Sequence, residues 1–208
     1  MKNNIKMLAM VIGVVASSSV FAAATTPTHS EAGTEIHWDG KIPTEFNDEN
    51  VIMTSLNGTP LNEALKGGDL YLENDGTFTS SSIPLELHYR VCDSDGTGTT
   101  MVTDGTDDCT GGSWVTGDVP EAVGDLIVDS DWALLDARYN VGGRESAELS
   151  ASAVIEMDGT PLVEGAAAIA STGGRPVFTT TNETAATTAP SAGTKYSVYA
   201  SILASNAL

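Results

Sequence analysis

Basic residues are scarce in this chain: 9 Lys and Arg stand against 28 Asp and Glu, for a net charge of −19 over 208 residues. A field of that sign repels phosphate backbones and anionic membrane surfaces, and no cluster of cations interrupts it, so nucleic acid is excluded as a partner. Long apolar runs are lacking as well. The run Met7–Val15 falls well short of the roughly 20 residues that cross a bilayer, and no later stretch comes close. Cysteine is confined to Cys92 and Cys109, without CxxC spacing and without a neighbouring His. The thiol-redox and metal arrangements that depend on such spacing are therefore missing. There is no Gly-x-Ser-x-Gly elbow to seat a nucleophile and no glycine loop passing from a strand into a helix to cradle phosphate. Of the three histidines, His29 lies between the signal peptide and the first strand run, and His37 and His88 fall on polar strand positions. Carboxylate pairs abound, but in so acidic a chain their proximity carries no information about glycosidase chemistry. We assign no catalytic residue, no cofactor and no metal ligand set, and the expectation is a protein that is not an enzyme.

What is present begins with an export signal. Lys2 and Lys6 precede the apolar run, and small residues follow at Val20, Ala22 and Ala24, the pattern of a secretory signal peptide over residues 1–24. Cleavage after Ala24 leaves 184 residues, enough for one domain with a real core. It also takes the net charge from −19 to −21, because the leader carries two lysines and no acid. In an oxidising compartment Cys92 and Cys109 form one disulfide, worth roughly 3 kcal/mol by the chain-entropy estimate.

The exported part reads as β throughout. Alternating or β-branched runs cover 34–42, 50–56, 69–73, 83–91, 99–103, 113–119, 125–128, 132–139, 147–157, 175–181 and 196–203. Turn signals separate them, among them Asn57-Gly58, Asp75-Gly76, Asp95-Gly96, Asp104-Gly105 and Asp158-Gly159. Many short strands at this spacing predict an antiparallel sandwich. The one helical candidate is Pro60–Lys66, which opens on proline and stops before Gly67. Within 83–91 the apolar Leu85, Leu87, Tyr89 and Val91 share one face, which places Glu86, His88 and Arg90 on the solvent side. The Thr- and Ala-rich stretch Thr179–Ala189 reads as a solvated loop or a weakly registered edge strand.

Three features invite a chemical reading. Asp93, Asp95, Asp104, Asp107 and Asp108 crowd the loop between the cysteines and resemble the start of a calcium loop. The run lacks a third ligand in phase and a closing glutamate, so an acidic hairpin is the simpler reading. Trp38, Trp114 and Trp132 are either core residues or a platform for sugar. Asn57-Gly58-Thr59 and Asn182-Glu183-Thr184 fit the glycosylation acceptor pattern.

The segment Gly33–Ile42, "GTEIHWDGKI", sets Ile36, Trp38, Gly40 and Ile42 on one face and Glu35, His37, Asp39 and Lys41 on the other. A glycine on the apolar face gives up packing unless a neighbour comes very close. This pattern, Gly-x-x-apolar-x-aromatic-x-Gly-x-apolar near the mature N-terminus, resembles the N-terminal extension of chaperone–usher pilins, the subunits of bacterial adhesive fimbriae. Pro190–Gly193 followed by the alternating run from Tyr196 resembles the last strand of the same family. Two features depart from it: no cysteine follows the extension until Cys92, and the chain ends Ser-Asn-Ala-Leu without the family's nearby tyrosine.

The resemblance implies an all-β, immunoglobulin-like antiparallel sandwich that lacks one strand and is completed by a donated one. It divides the chain into a signal peptide (1–24), a donor extension (25–44) and a sandwich domain (45–208), with Ile36, Trp38, Gly40 and Ile42 entering the neighbour's groove. The partners it implies are further copies of the chain in a head-to-tail fibre, a periplasmic chaperone, an outer-membrane usher and a host or surface receptor. The place it implies is the cell surface, reached through the periplasm. The absence of a separate receptor-binding domain favours a shaft subunit. The alternative is a monomeric secreted module for calcium or glycans, in which 34–42 is simply its own first strand.

Overall fold

The computed structural model describes residues 31–37, 50–61, 67–106 and 109–206. Its strands run in chain order as follows. The first nine are β1 (Glu31–His37), β2 (Val51–Ser55), β3 (Thr59–Pro60), β4 (Leu70–Leu72), β5 (Phe78–Ser80), β6 (Ile83–Pro84), β7 (Glu86–Arg90), β8 (Cys92–Asp93) and β9 (Met101–Val102). The rest are β10 (Ser113–Trp114), β11 (Val123–Leu126), β12 (Asp129–Val141), β13 (Arg144–Glu145), β14 (Val154–Met157), β15 (Thr160–Leu162), β16 (Ile169–Thr172), β17 (Val177–Asn182) and β18 (Tyr196–Ser205). Every pairing is antiparallel. The fold is all-β, as the spacing of strand and turn signals predicts.

Three sheets enclose the core. One has the order β1-β18-β12-β13, with β16 also on β12; the second is β11-β7-β2-β3; the third is β15-β14-β17-β5-β4, with β6 also on β17. A small outlying sheet, β10-β8-β9, carries the cysteine loop. The first and third sheets meet through Trp132 on β12 and Phe178 on β17, whose rings lie 5.4 Å apart, and through Phe78 on β5 against Tyr196 on β18. Val51, Met53 and Leu87 bring the second sheet into the same cluster. One continuous core therefore joins all three.

Three expectations from the sequence are corrected. The stretch 147–157 is a short helix, Ala147–Ser152, followed by β14, and not one strand. Its Ser146 caps the helix by accepting from the Leu149 N–H at 3.3 Å, and Ala, Glu and Leu are good helix formers. Leu149 alone is buried in that helix, a stripe too narrow to show a clear 3.6 period in six residues. The second correction concerns Thr179–Asn182, which belongs to β17, an interior strand paired to β14, β5 and β6, and not to a loop or a sheet edge. Its inward polar residues are satisfied: the Thr180 hydroxyl donates to the Val154 carbonyl at 3.0 Å, and the Asn182 amide to the Gly76 and Thr184 carbonyls. The third concerns His88. With β7 flanked by β2 and β11, Glu86, His88 and Arg90 are as deeply buried as the apolar residues between them. The helical candidate Pro60–Lys66 lies beyond Leu61 outside the described residues, as does the leader 1–24.

Candidate functional site

The most N-terminal described strand, β1, is an edge. Its only hydrogen-bonded neighbour among the described residues is β18, which it follows antiparallel from Glu31↔Ser205 to His37↔Tyr199 without a register shift. The other side of β18 is held along ten residue pairs by β12. Val198, Ala200, Ile202 and Ala204 of β18 point into the core with no exposed surface. Without β1, the backbone groups of residues 199–205 on that side would have no strand to pair with. Of the four residues read from the sequence as a donor face, Ile36 pairs with Ala200; Trp38, Gly40 and Ile42 lie outside the described residues.

Cys92 and Cys109 are bonded, as the composition predicts. The acidic loop they close uses its carboxylates to build turns. Asp95 accepts from the Thr97 N–H and hydroxyl on one oxygen, and from the hydroxyls of Thr99 and Thr100 on the other, at 2.7–3.0 Å. The Thr97 hydroxyl and N–H, then the Thr99 and Thr100 hydroxyls, hold its carboxyl far below the usual range. Asp104 and Asp75 do the same with Thr106 and Thr77. A recurring Asp-Gly-Thr turn was thus legible in the sequence as a structural device: the glycines at 76, 96 and 105 take φ of +90°, +64° and +69°. Asp107 and Asp108 lie outside the described residues, and among those described no three His, Cys, Asp or Glu side chains gather around one point.

A buried charge cluster escaped the sequence reading because alternation had placed it in solvent. Glu86 has no exposed side-chain surface. Its Oε2 accepts from the Gly58 N–H at 2.9 Å and lies 3.0 Å from His88 Nε2, while Arg175 Nε sits 2.7 Å from Oε1 as an ion pair without hydrogen-bond alignment. His88 Nδ1 lies 2.9 Å from the Gly124 carbonyl. Burial pushes the Glu86 carboxyl up, and the hydrogen bonds from His88, Gly58 and Asn57 outweigh it and hold the group below its ordinary value. One carboxylate therefore ties the β2–β3 turn, the central strand β7 and the loop before β17 together.

The tryptophans do not form a common platform. Trp132 is fully buried and donates from Nε1 to Ser130 at 2.8 Å, Trp114 is half-buried in β10, and Trp38 lies outside the described residues. Asn182 is 2% exposed and committed to two carbonyls, so the folded chain does not offer that acceptor pattern; Asn57 is exposed in the turn after β2. Comparison with family models, with characterised proteins and with solved structures finds no match to this chain.

Proposed function

We propose that this chain is a structural subunit of an adhesive fimbria, exported through the periplasm and polymerised head to tail by strand donation. The observation that carries this reading is the seat of β1: an edge strand, antiparallel to the C-terminal strand, separated from β2 by residues 38–50. An edge strand so far in sequence from the next strand is the element two copies can exchange, because the same pairs form whether the strand comes from the chain itself or from its neighbour. When each copy passes its strand to the next and not back to its donor, the contact is heterologous and grows an open filament. Before assembly the vacated edge is an aggregation hazard, which calls for a chaperone strand in the periplasm and an usher at the outer membrane.

The register also accounts for the glycine. A neighbour's segment continuing the observed pairing would set positions 36, 38 and 40 opposite Ala200, Val198 and Tyr196, all on the inward side of β18. Trp38 then meets a small, buried wall, and Gly40 leaves room for the Tyr196 ring. An anchor of that size is worth roughly 1.5–3 kcal/mol when fully buried. The disulfide suits the oxidising route, and the acidic surface suits a soluble fibre exterior. The expected outcome is that Trp38→Ala and Gly40→Asn each abolish fibre formation while each variant folds normally when a synthetic strand of sequence 31–42 is supplied. Wild-type fibre yield from both variants sinks the proposal.

The second reading, a monomeric secreted binding module, draws on the same pairing, since β1 is seated on its own chain. It differs in expecting that seat to be permanent.

A further inference from the structure

Two cavities share one buried amide, Asn182 at the end of β17. The first, about 280 Å³, lies between the helix Ala147–Ser152, loop residues 184–190 and Tyr196. The second, about 260 Å³, is lined by Tyr71, Glu73, Thr77, Phe78, Thr79 and Glu183. Asn182 lines both. Each falls just below the roughly 300–1,000 Å³ of pockets that take drug-sized ligands, a size for one small ring apiece.

The walls are held in place before anything binds. Asn182 donates to the carbonyls of Gly76 and Thr184 and accepts from the Thr184 N–H, and Ala186 N–H donates to the Asp75 carbonyl at 2.8 Å. Glu148 Oε1 accepts from the Thr187 N–H at 2.6 Å, which fastens the loop to the helix. Gly76 is required at this corner: a Cβ there would lie 3.0 Å from Ala186 and 3.2 Å from the Tyr196 hydroxyl, at a φ of +90°.

The chemistry of the walls selects a ligand. Neither cavity is lined by Lys, Arg or His, and Glu148, Glu73 and Glu183 bring negative charge, so anions are turned away. The Tyr196, Thr184 and Thr188 side chains line the first cavity and bring hydroxyl groups that can donate to a ligand. Burial and then the Glu148 charge push the Tyr196 hydroxyl above its usual pKa, so it remains a donor. Val141, Leu149 and Pro190 supply apolar floor, and the Tyr71 ring, 58% exposed, offers a face beside the second cavity. Hydroxyl donors, carboxylate acceptors and apolar or aromatic faces in alternation match a molecule whose rim is hydroxyl and whose faces are C–H.

We propose that these paired cavities bind a neutral oligosaccharide, one ring on each side of Asn182. The site uses no residue of β1, and Tyr196 alone is shared with the proposed fibre contact, so Tyr71→Ala and Glu148→Gln test binding independently of the assembly reading. The exported chain is titrated by saturation-transfer NMR against neutral disaccharides of glucose, galactose and N-acetylglucosamine, with glucuronic acid and ethanolamine as charged probes. The expected result is saturable binding of at least one neutral disaccharide, weakened at least tenfold by Tyr71→Ala, an exposed position whose replacement leaves the melting temperature unchanged, and by Glu148→Gln, which keeps an acceptor for the Thr187 N–H and removes the charge. Tyr196→Phe serves as a third variant that keeps the ring and removes only the donor. Absence of neutral binding, binding that none of the three variants weakens, or preference for ethanolamine or glucuronic acid overturns the proposal.

Discussion

Glu86 is the residue on which most of the second sheet's polar order depends. It is fully buried, it faces His88 and Arg175, and it holds the turn at Gly58. Replacing it by Gln removes the charge, leaves Arg175 without its counter-ion and weakens the contact with His88, at a cost of about 2–3 kcal/mol in a chemical-denaturation measurement. The pH dependence follows from the lowered carboxyl pKa. In the unfolded chain Glu86 titrates near 4.5, and in the folded chain below it. Its contribution is therefore fully present above pH 4.5 and is lost as the pH falls through the folded value. Melting of the wild type should decline on acidification below 4.5 more steeply than melting of Glu86→Gln; parallel curves contradict the assignment. This cluster was illegible in the sequence for a specific reason. Alternation in "LELHYRV" separates two faces, but it cannot say that both are covered, and β7 lies between two strands with Arg175 above it.

At the scale of the element, the cysteine loop is the part least able to stand alone. Its strands β8, β9 and β10 are two residues each, paired only to one another. The disulfide spans a sequence separation of 17, and its reduction should cost roughly 3 kcal/mol, or a fall in Tm of roughly 6–12 °C for a chain of this size. Calorimetry with and without reductant checks this; an unchanged Tm shows that the Asp-Thr turns hold the loop unaided. The turns themselves were legible, because Asp-Gly before Thr has a local cause in the Asp side chain and the glycine φ. The places of several strands were legible too: β2, β4, β12 and β18 fall within a few residues of their alternating runs. The helix at Ala147–Ser152 was not, since six residues with one buried side chain give period 2 and period 3.6 an equal claim. Nor was the interior placement of β17, because Thr-rich composition reads as solvated until partners for each hydroxyl are visible.

For the whole molecule the question is whether β1 stays at home. The sequence pattern of Gly33–Ile42 raised that question, and the pairing of β1 with β18 gives it a geometry: Ser205, at the end of β18, stands opposite Glu31, at the start of β1. A short loop could therefore join the two in one hairpin. The most direct measurement compares the exported chain with a rearranged one in which residues 25–44 follow Leu208 on a short Gly-Ser linker, by size-exclusion chromatography and thermal melting. The fimbrial account predicts ladders or unstable material from the native order and a monomer with a markedly higher Tm from the rearranged chain. A native chain that is already a stable monomer, and that loses its fold when the strand is moved, contradicts it.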